Sequence, residues 1–282
     1  MAIVLRTSER TPWWRDIDPV RPFVLLWQRR HLIGQLVRRE VIGRYRGSLL
    51  GTFWMVLLPI LAVLVYTIVF GLILKQRWPG IESNEWTYPL VIWSGLALFN
   101  AFAEVVQRAT SVIAAQPNLV KKVVFPLDVL PVMLVGTSLV PLLLSMLAVT
   151  IGIVFCRGEV PNIVLMILTL GFFLVWLQGM AWFLAGVGTF LRDLGPMVQA
   201  ICPLVLFLTP IFYPISLVPE QYRLWFWANP LCVMVETIRA ALLHTAMPPV
   251  WALAGCACLC LCTWQLGSLV FIRLRSEMAD VV

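Results

Sequence analysis

Six stretches of this chain carry no aspartate, glutamate, lysine or arginine: 47–74, 86–103, 129–156, 160–191, 194–219 and 240–272. About 20 apolar residues in a helix cross the hydrocarbon core of a bilayer, so five of these runs are long enough outright and 86–103 is marginal. A spanning segment must satisfy its own backbone, which leaves helices or a closed barrel. Barrel strands alternate apolar with polar residues over about ten positions, whereas these runs are apolar on every side. The expected fold is therefore an all-α integral membrane domain with six transmembrane helices. Composition agrees: 61% of the 282 residues are hydrophobic and 12% charged, against roughly half and a quarter in a soluble domain.

The formal charge of +7 would suit nucleic acid in a soluble protein, but here the charges follow the spans. With a cytoplasmic N-terminus, six spans return the C-terminus to the same side. Lysine and arginine then divide as 16 inside (10 in 1–46, 3 in 108–126, Arg192, and 2 after residue 272) and 5 outside (Lys75, Arg77, Arg157, Arg223, Arg239). That bias sets the topology. The basic excess is read as contact with lipid headgroups, and no nucleic-acid partner is expected. The first apolar run begins too late and runs too long for a signal peptide, so residues 1–46 are expected in the mature protein.

Residues 1–20 read as an irregular cytoplasmic lead-in. Over 21–46 the pattern becomes helical: Leu32, Ile33, Leu36 and Val37 share one face, with His31, Gln35 and Arg38 opposite. This predicts an amphipathic helix in the membrane interface. Glu40 and Arg44 rotate back toward its apolar face, where an ion pair with a partner protein would account for them. The outer loop 75–87 turns at Pro79-Gly80 between the interfacial anchors Trp78 and Trp86, and 273–282 forms a cytoplasmic tail.

Residues 217–250 are too polar for a span and too apolar for a solvated loop. Trp225 and Trp227 precede Asn229-Pro230, and Leu231–Leu243 follows with Glu236 and Arg239 spaced i,i+3. The reading is a hairpin that enters the outer leaflet and returns, with Glu236 and Arg239 paired on its second arm; a surface helix carrying a routine ion pair is the alternative.

The seven cysteines do not suggest a metal site. Cys256, Cys258, Cys260 and Cys262 alternate, which scatters them over two helix faces. No lysine follows a glycine, so no phosphate-cradling Gly-Lys-Ser/Thr exists. His31 and His244 fall on opposite sides. Glu104 and Asp128 sit near the inner ends of spans, not at the depth that ion coupling uses. Neither a catalytic residue nor a cofactor is expected on this chain; it offers a passive path driven by another protein.

The stretch 36–54, reading LVRREVIGRYRGSLLGTFW and closing with Pro59, resembles the opening of ABC-2 type permeases of bacterial polysaccharide exporters. Further similarities follow in order: NLVKKVVFP at 118–126, Arg192-Asp193-Leu194, PIFYP at 210–214, and Asn229-Pro230-Leu231 with Glu236 and Arg239. The resemblance covers about residues 21–275. It implies a homodimer in the bacterial cytoplasmic membrane, two separate ATP-binding subunits carrying ATP and Mg, and a lipid-linked polysaccharide as cargo. It also implies ATPase coupling through Arg38, Arg39, Glu40, Arg44 and Arg46 and through Gln116, Asn118, Lys121 and Lys122. The outer hairpin, with Trp225, Trp227, Asn229, Pro230, Glu236 and Arg239, resembles a gate.

A sugar polymer presents apolar C–H faces between hydroxyls, and flat aromatic rings let such faces slide. Candidates are Trp54, Tyr66, Phe70, Phe207, Phe212 and Tyr213 at the ends of spans one and five, with Trp93 and Phe99 in span two; other aromatic residues anchor at interfaces or pack. O-antigen is the expected cargo, capsule or teichoic acid the nearest alternative, and drug or lipid export the next. An ion-coupled carrier would work without an ATP-binding partner, and a glycosyltransferase would turn over sugar nucleotides.

Overall fold

The computed structural model describes residues 21–75, 86–117 and 125–278. Of the sequence expectations, the lead-in 1–20, the Pro79-Gly80 turn, Asn118, Lys121, Lys122 and the last four residues lie outside this set. All regular elements among the described residues are helical, so the all-α membrane reading holds. We label them α1 (Arg21–Gln28), α2 (Arg30–Arg44), α3 (Trp54–Tyr66), α4 (Thr87–Ala109), α5 (Val129–Arg157), α6 (Ile163–Phe190), α7 (Leu194–Leu208), α8 (Glu220–Trp227), α9 (Pro230–Leu243) and α10 (Val250–Leu274).

Five helical segments are long and apolar enough to cross a membrane: Gly51–Ile73 around α3, then α4, α5, α6 and α10. The shortest have 23 residues, about 35 Å at 1.5 Å per residue, which exceeds the ~30 Å hydrocarbon thickness. The marginal run 86–103 becomes the full helix α4, because Glu104 and Arg108 extend it by another turn and a half. It is also the most enclosed span, with Val91, Ile92, Leu98 and Val105 fully buried.

The run 194–219 behaves differently. Only α7 within it is helical, and its 15 residues reach about 22 Å, short of a full crossing. The six expected spans thus resolve, among the described residues, into five helices long enough to cross and the shorter α7. The run 240–272 is also divided. Residues 240–243 end α9, His244 adopts a left-handed conformation at φ 53°, and Pro248-Pro249 precede α10.

The expected interface helix is two helices joined at Arg29. The apolar face of α2 meets protein: Leu36 is 7% exposed, and Val37 packs so tightly on α5 that a Cβ at Gly136 would come within 2.6 Å of its methyl group. The first span begins after two left-handed glycines, Gly47 and Gly51, that break the chain between α2 and α3. It ends in a π-helical stretch, Thr67–Ile73, a geometry frequent at functional sites.

The most extensive helix pairing joins α6 and α10. It depends on two glycines facing each other, since a Cβ at Gly267 would fall 2.0 Å from the carbonyl oxygen of Gly179. Small residues permit such backbone contact, and in lipid dispersion between close backbones substitutes for the missing hydrophobic drive. Cys256 and Cys260 are buried on this side of α10 while Cys258 and Cys262 are exposed, which is the two-faced distribution their spacing predicts.

Candidate functional site

Two regions gather the residues singled out by sequence, one at each end of the bundle. At the end carrying α2, Glu40 and Arg44 meet Glu104 and Arg108 on α4. Arg108 donates to Glu40 at 2.5 Å and to Glu104 at 3.2 Å, and Arg44 donates to Glu104. Arg44 also reaches the Thr137 hydroxyl of α5 at 3.4 Å. The partners sought for Glu40 and Arg44 in another protein are therefore within this chain.

A second ionic link lies beside the first. Arg29, at the break between α1 and α2, donates to Asp128, the residue just before α5, and Arg275 after α10 approaches the other Asp128 oxygen at 3.6 Å. Trp182 of α6 donates its indole N–H to the Asp128 carbonyl at 3.2 Å. The α1–α2 segment is thus fastened to α4 and α5 directly, and through Asp128 to α6 and the end of α10. These charged side chains keep between 15% and 48% of their surface, so each pair contributes only about 0.2–1 kcal/mol, and the value lies in the network.

Because the four charges of the first network neutralise one another, reversing one should cost more than deleting it. Glu104→Arg is expected to lower the stability of the detergent-solubilised protein by about 2 kcal/mol, roughly 5 °C in melting temperature. Adding Arg44→Glu should recover at least half of that. A double variant melting no higher than the single one would show that the network contributes nothing.

Arg38, Arg39 and Arg46 point away from the bundle and are exposed, and Gln116 is half-buried in the turns after α4. These positions leave a basic, accessible surface beside the ionic network.

At the opposite end, α8 and α9 form a hairpin bent by 98°. Asn229 builds the corner: its side-chain oxygen accepts from Leu231 N–H at 3.0 Å and its amide donates to the Thr209 hydroxyl at 3.1 Å. Pro230 starts α9, where the missing N–H costs nothing. Trp225 is exposed and Trp227 packs partly against the core. Almost all of α9 is buried, which excludes the surface-helix alternative.

Arg239 satisfies the irregular chain that follows α7. It is 2% exposed, pairs with Glu236 at 2.8 Å, and donates at 2.5 Å to each of the carbonyls of Pro210 and Ile211. Tyr88 of α4 donates to the next carbonyl, Phe212, at 2.9 Å. Three consecutive carbonyls beyond the end of α7 thus have side-chain donors, the condition for irregular backbone in the hydrocarbon region. A buried guanidinium is tolerable only with such a set of acceptors.

The aromatic candidates converge above this clamp. Tyr66 lies 5.9 Å from both Phe70 and Trp93, Phe70 lies 5.9 Å from Tyr88 and 6.5 Å from Phe212, and Phe212 lies 6.5 Å from Phe207. Tyr213 contacts Phe226 of the hairpin at 6.4 Å and donates to the Phe207 carbonyl. Two candidates stand apart. Trp54 is half-buried at the far end of α3. Phe99 is buried against Phe102 at 6.2 Å, itself stacked on Trp176, so it packs the core instead of lining a path.

Sequence reading missed Tyr88, Thr209 and Arg108. Arg108 had a signal, the i,i+4 spacing from Glu104 in an apolar helix. Tyr88 had none, since its partner is 124 positions away.

Comparison with known proteins places this geometry. The chain is 29% identical over 263 residues to the O-antigen export system permease protein RfbA of Myxococcus xanthus, covering 91% of this chain and 97% of that protein. A permease of the same description from Klebsiella pneumoniae is 25% identical over 215 residues, covering 74% and 78%. The polysialic acid transport protein KpsM of Escherichia coli is 27% identical over 212 residues, covering 74% and 80%. Residues 31–243, from α2 through the hairpin, match the ABC-2 type transporter family, and the chain belongs to that family.

Proposed function

We propose that this chain is the membrane subunit of an ATP-driven exporter that moves a lipid-linked polysaccharide across the bacterial cytoplasmic membrane. The observation that carries the reading is similarity along almost the whole chain to an O-antigen export permease, together with a hairpin whose broken backbone is clamped beside a cluster of rings. O-antigen is the first cargo. The similarity to a polysialic acid transporter supports a capsular polysaccharide as the second reading, with teichoic acid a further member of the same cargo class.

ATP and Mg belong to a separate ATP-binding subunit, a reading that membership of the ABC-2 type transporter family supports. Two copies of that subunit serve a homodimer of this chain. The first span and α7 suit the dimer interface, because α3 and α7 leave Leu58, Leu61, Leu64, Ile201, Leu204 and Phe207 exposed. The positive-inside bias supports cytoplasmic termini, with α2, Arg38, Arg39, Arg46 and the segment bearing Gln116, Asn118, Lys121 and Lys122 on the ATPase side. The hairpin then lies toward the outer face as a gate, and the rings from Tyr66 to Phe212 offer flat surfaces for sugar C–H faces to slide on.

Purification of the chain with its ATP-binding partner, followed by ATP hydrolysis with and without the glycolipid, tests the reading. Stimulation by glycolipid is expected, and hydrolysis by this chain alone would overturn it. Changing Lys121 and Lys122 together to Glu should reduce copurification of the partner at least several-fold; recovery at the wild-type level would remove these lysines from the docking surface.

A further inference from the structure

Two cavities open along the seam between the first span and α5, with α4 as their floor. The one nearer α2 has a volume of about 170 Å³ and is lined by Tyr45, Asn100, Glu104, Ser138 and Ser145 among apolar neighbours. The next, of about 420 Å³, is lined by Ile60, Val63, Leu147, Ala148 and Ile151 and carries no charged residue. Pro59 borders both. From Ser138 to Cys156 along α5 the two cover about 27 Å at 1.5 Å per residue. The polar part, Ser138 to Ser145, takes about the first 10 Å of it.

A seam with a polar end and a longer apolar remainder has the profile of one amphiphile. Its charge selects among amphiphiles. Among the described residues, Glu104 is the only charged one lining either cavity, and no lysine or arginine does. Arg44 and Arg108 both meet Glu104 through the same oxygen, Oε1, and Oε2 has no hydrogen-bond donor among the described residues. Trp93, which also lines the polar cavity, has a buried indole N–H without an acceptor among the described residues. The site therefore offers a carboxylate oxygen as acceptor for a cation at its mouth and neutral N–H and O–H donors deeper in. Both cavities far exceed the roughly 10–15 Å³ that one water needs.

We propose that this seam holds one glycerophospholipid with a primary ammonium headgroup, phosphatidylethanolamine in type. Its ammonium meets Glu104 Oε2, its phosphate and ester oxygens take the Tyr45, Asn100 and Ser145 donors, and one acyl chain fills the slot beside Ile60, Val63 and Ala148. The bound lipid is a resident component that fills the gap behind the first span, distinct from the polysaccharide cargo.

Native mass spectrometry of the detergent-solubilised protein, titrated with phosphatidylethanolamine or with phosphatidylglycerol of matched chains, tests this. One retained phosphatidylethanolamine per chain is expected, with at least a five-fold preference over phosphatidylglycerol. Glu104→Gln should cut that preference below two-fold, and Ala148→Trp, which fills the acyl slot, should abolish retention. Equal retention of the two lipids by the unmodified protein would overturn the proposal, and so would displacement of the bound lipid by an isoprenyl diphosphate. The wild-type competition requires no variant to fold, and export activity does not enter the readout.

Discussion

Arg239→Leu should abolish export and reduce the amount of folded protein recovered from membranes to a small fraction of wild type. The substitution removes the donor of both the Pro210 and Ile211 carbonyls and leaves the half-buried Glu236 without its partner. Breaking a buried pair from one side costs about 3–5 kcal/mol, and two carbonyls abandoned at membrane depth add about 1–3 kcal/mol each. Arg239→Lys is the informative companion. A lysine keeps the charge and the Glu236 pair but cannot direct two donors in a fixed fork, so intermediate recovery with a stronger defect in export is expected. The measurement is surface glycan together with the fraction of chain that is monodisperse after extraction. Recovery of Arg239→Leu at the wild-type level would show that the chain beyond α7 does not depend on the clamp.

Gly267→Val should be the most damaging single change in the spans. Its side chain would occupy the space of the Gly179 carbonyl, backbone that cannot rotate aside. Overpacking costs about 1–3 kcal/mol where side chains can shift, and here α6 and α10 would have to separate along their length. A loss above about 3 kcal/mol is expected, near 10 °C in melting temperature at this chain length. Gly255→Val offers the control, because a Cβ there meets nothing within 4 Å. Equal melting temperatures for the two variants would contradict a backbone contact between the helices.

The spans were legible because lipid imposes a rule that composition can express: long uncharged runs become helices. What the runs could not express was where regular structure stops inside them. The stretch 194–219 reads as apolar throughout, and its helix ends at Leu208 because Pro210 and Pro214 follow and because Arg239, Tyr88 and Asn229 supply hydrogen bonds for the irregular chain. Those donors are separated from it by 15 residues or more, so no local pattern reports them. The division between α9 and α10 was hidden in the same way, since His244 and Pro248-Pro249 interrupt the helix without introducing formal charge.

Of the site, the Glu236–Arg239 pair and the hairpin corner at Asn229-Pro230 were visible as spacing and turn chemistry. The neighbours of Glu40 and Arg44 were not. Two charges rotated onto an apolar face announce that a partner exists, but they cannot say whether it belongs to the same chain. The rings were the least legible element. Hydropathy gives a phenylalanine at 99 and one at 70 the same weight, and only the packing of α4 against α6 separates a core residue from a member of the cluster at the hairpin.

The pairing of α6 with α10 also fixes an order of assembly. The two helices that come closest are separated by about 60 residues of chain, which a ribosome takes roughly 3–12 s to produce. During that interval the glycine face of Ile163–Phe190 is left to lipid or to whatever the insertion machinery presents. The later of the two helices is therefore the one that closes this pair, and a polypeptide stopped short of it leaves an open seam for quality-control proteases to recognise.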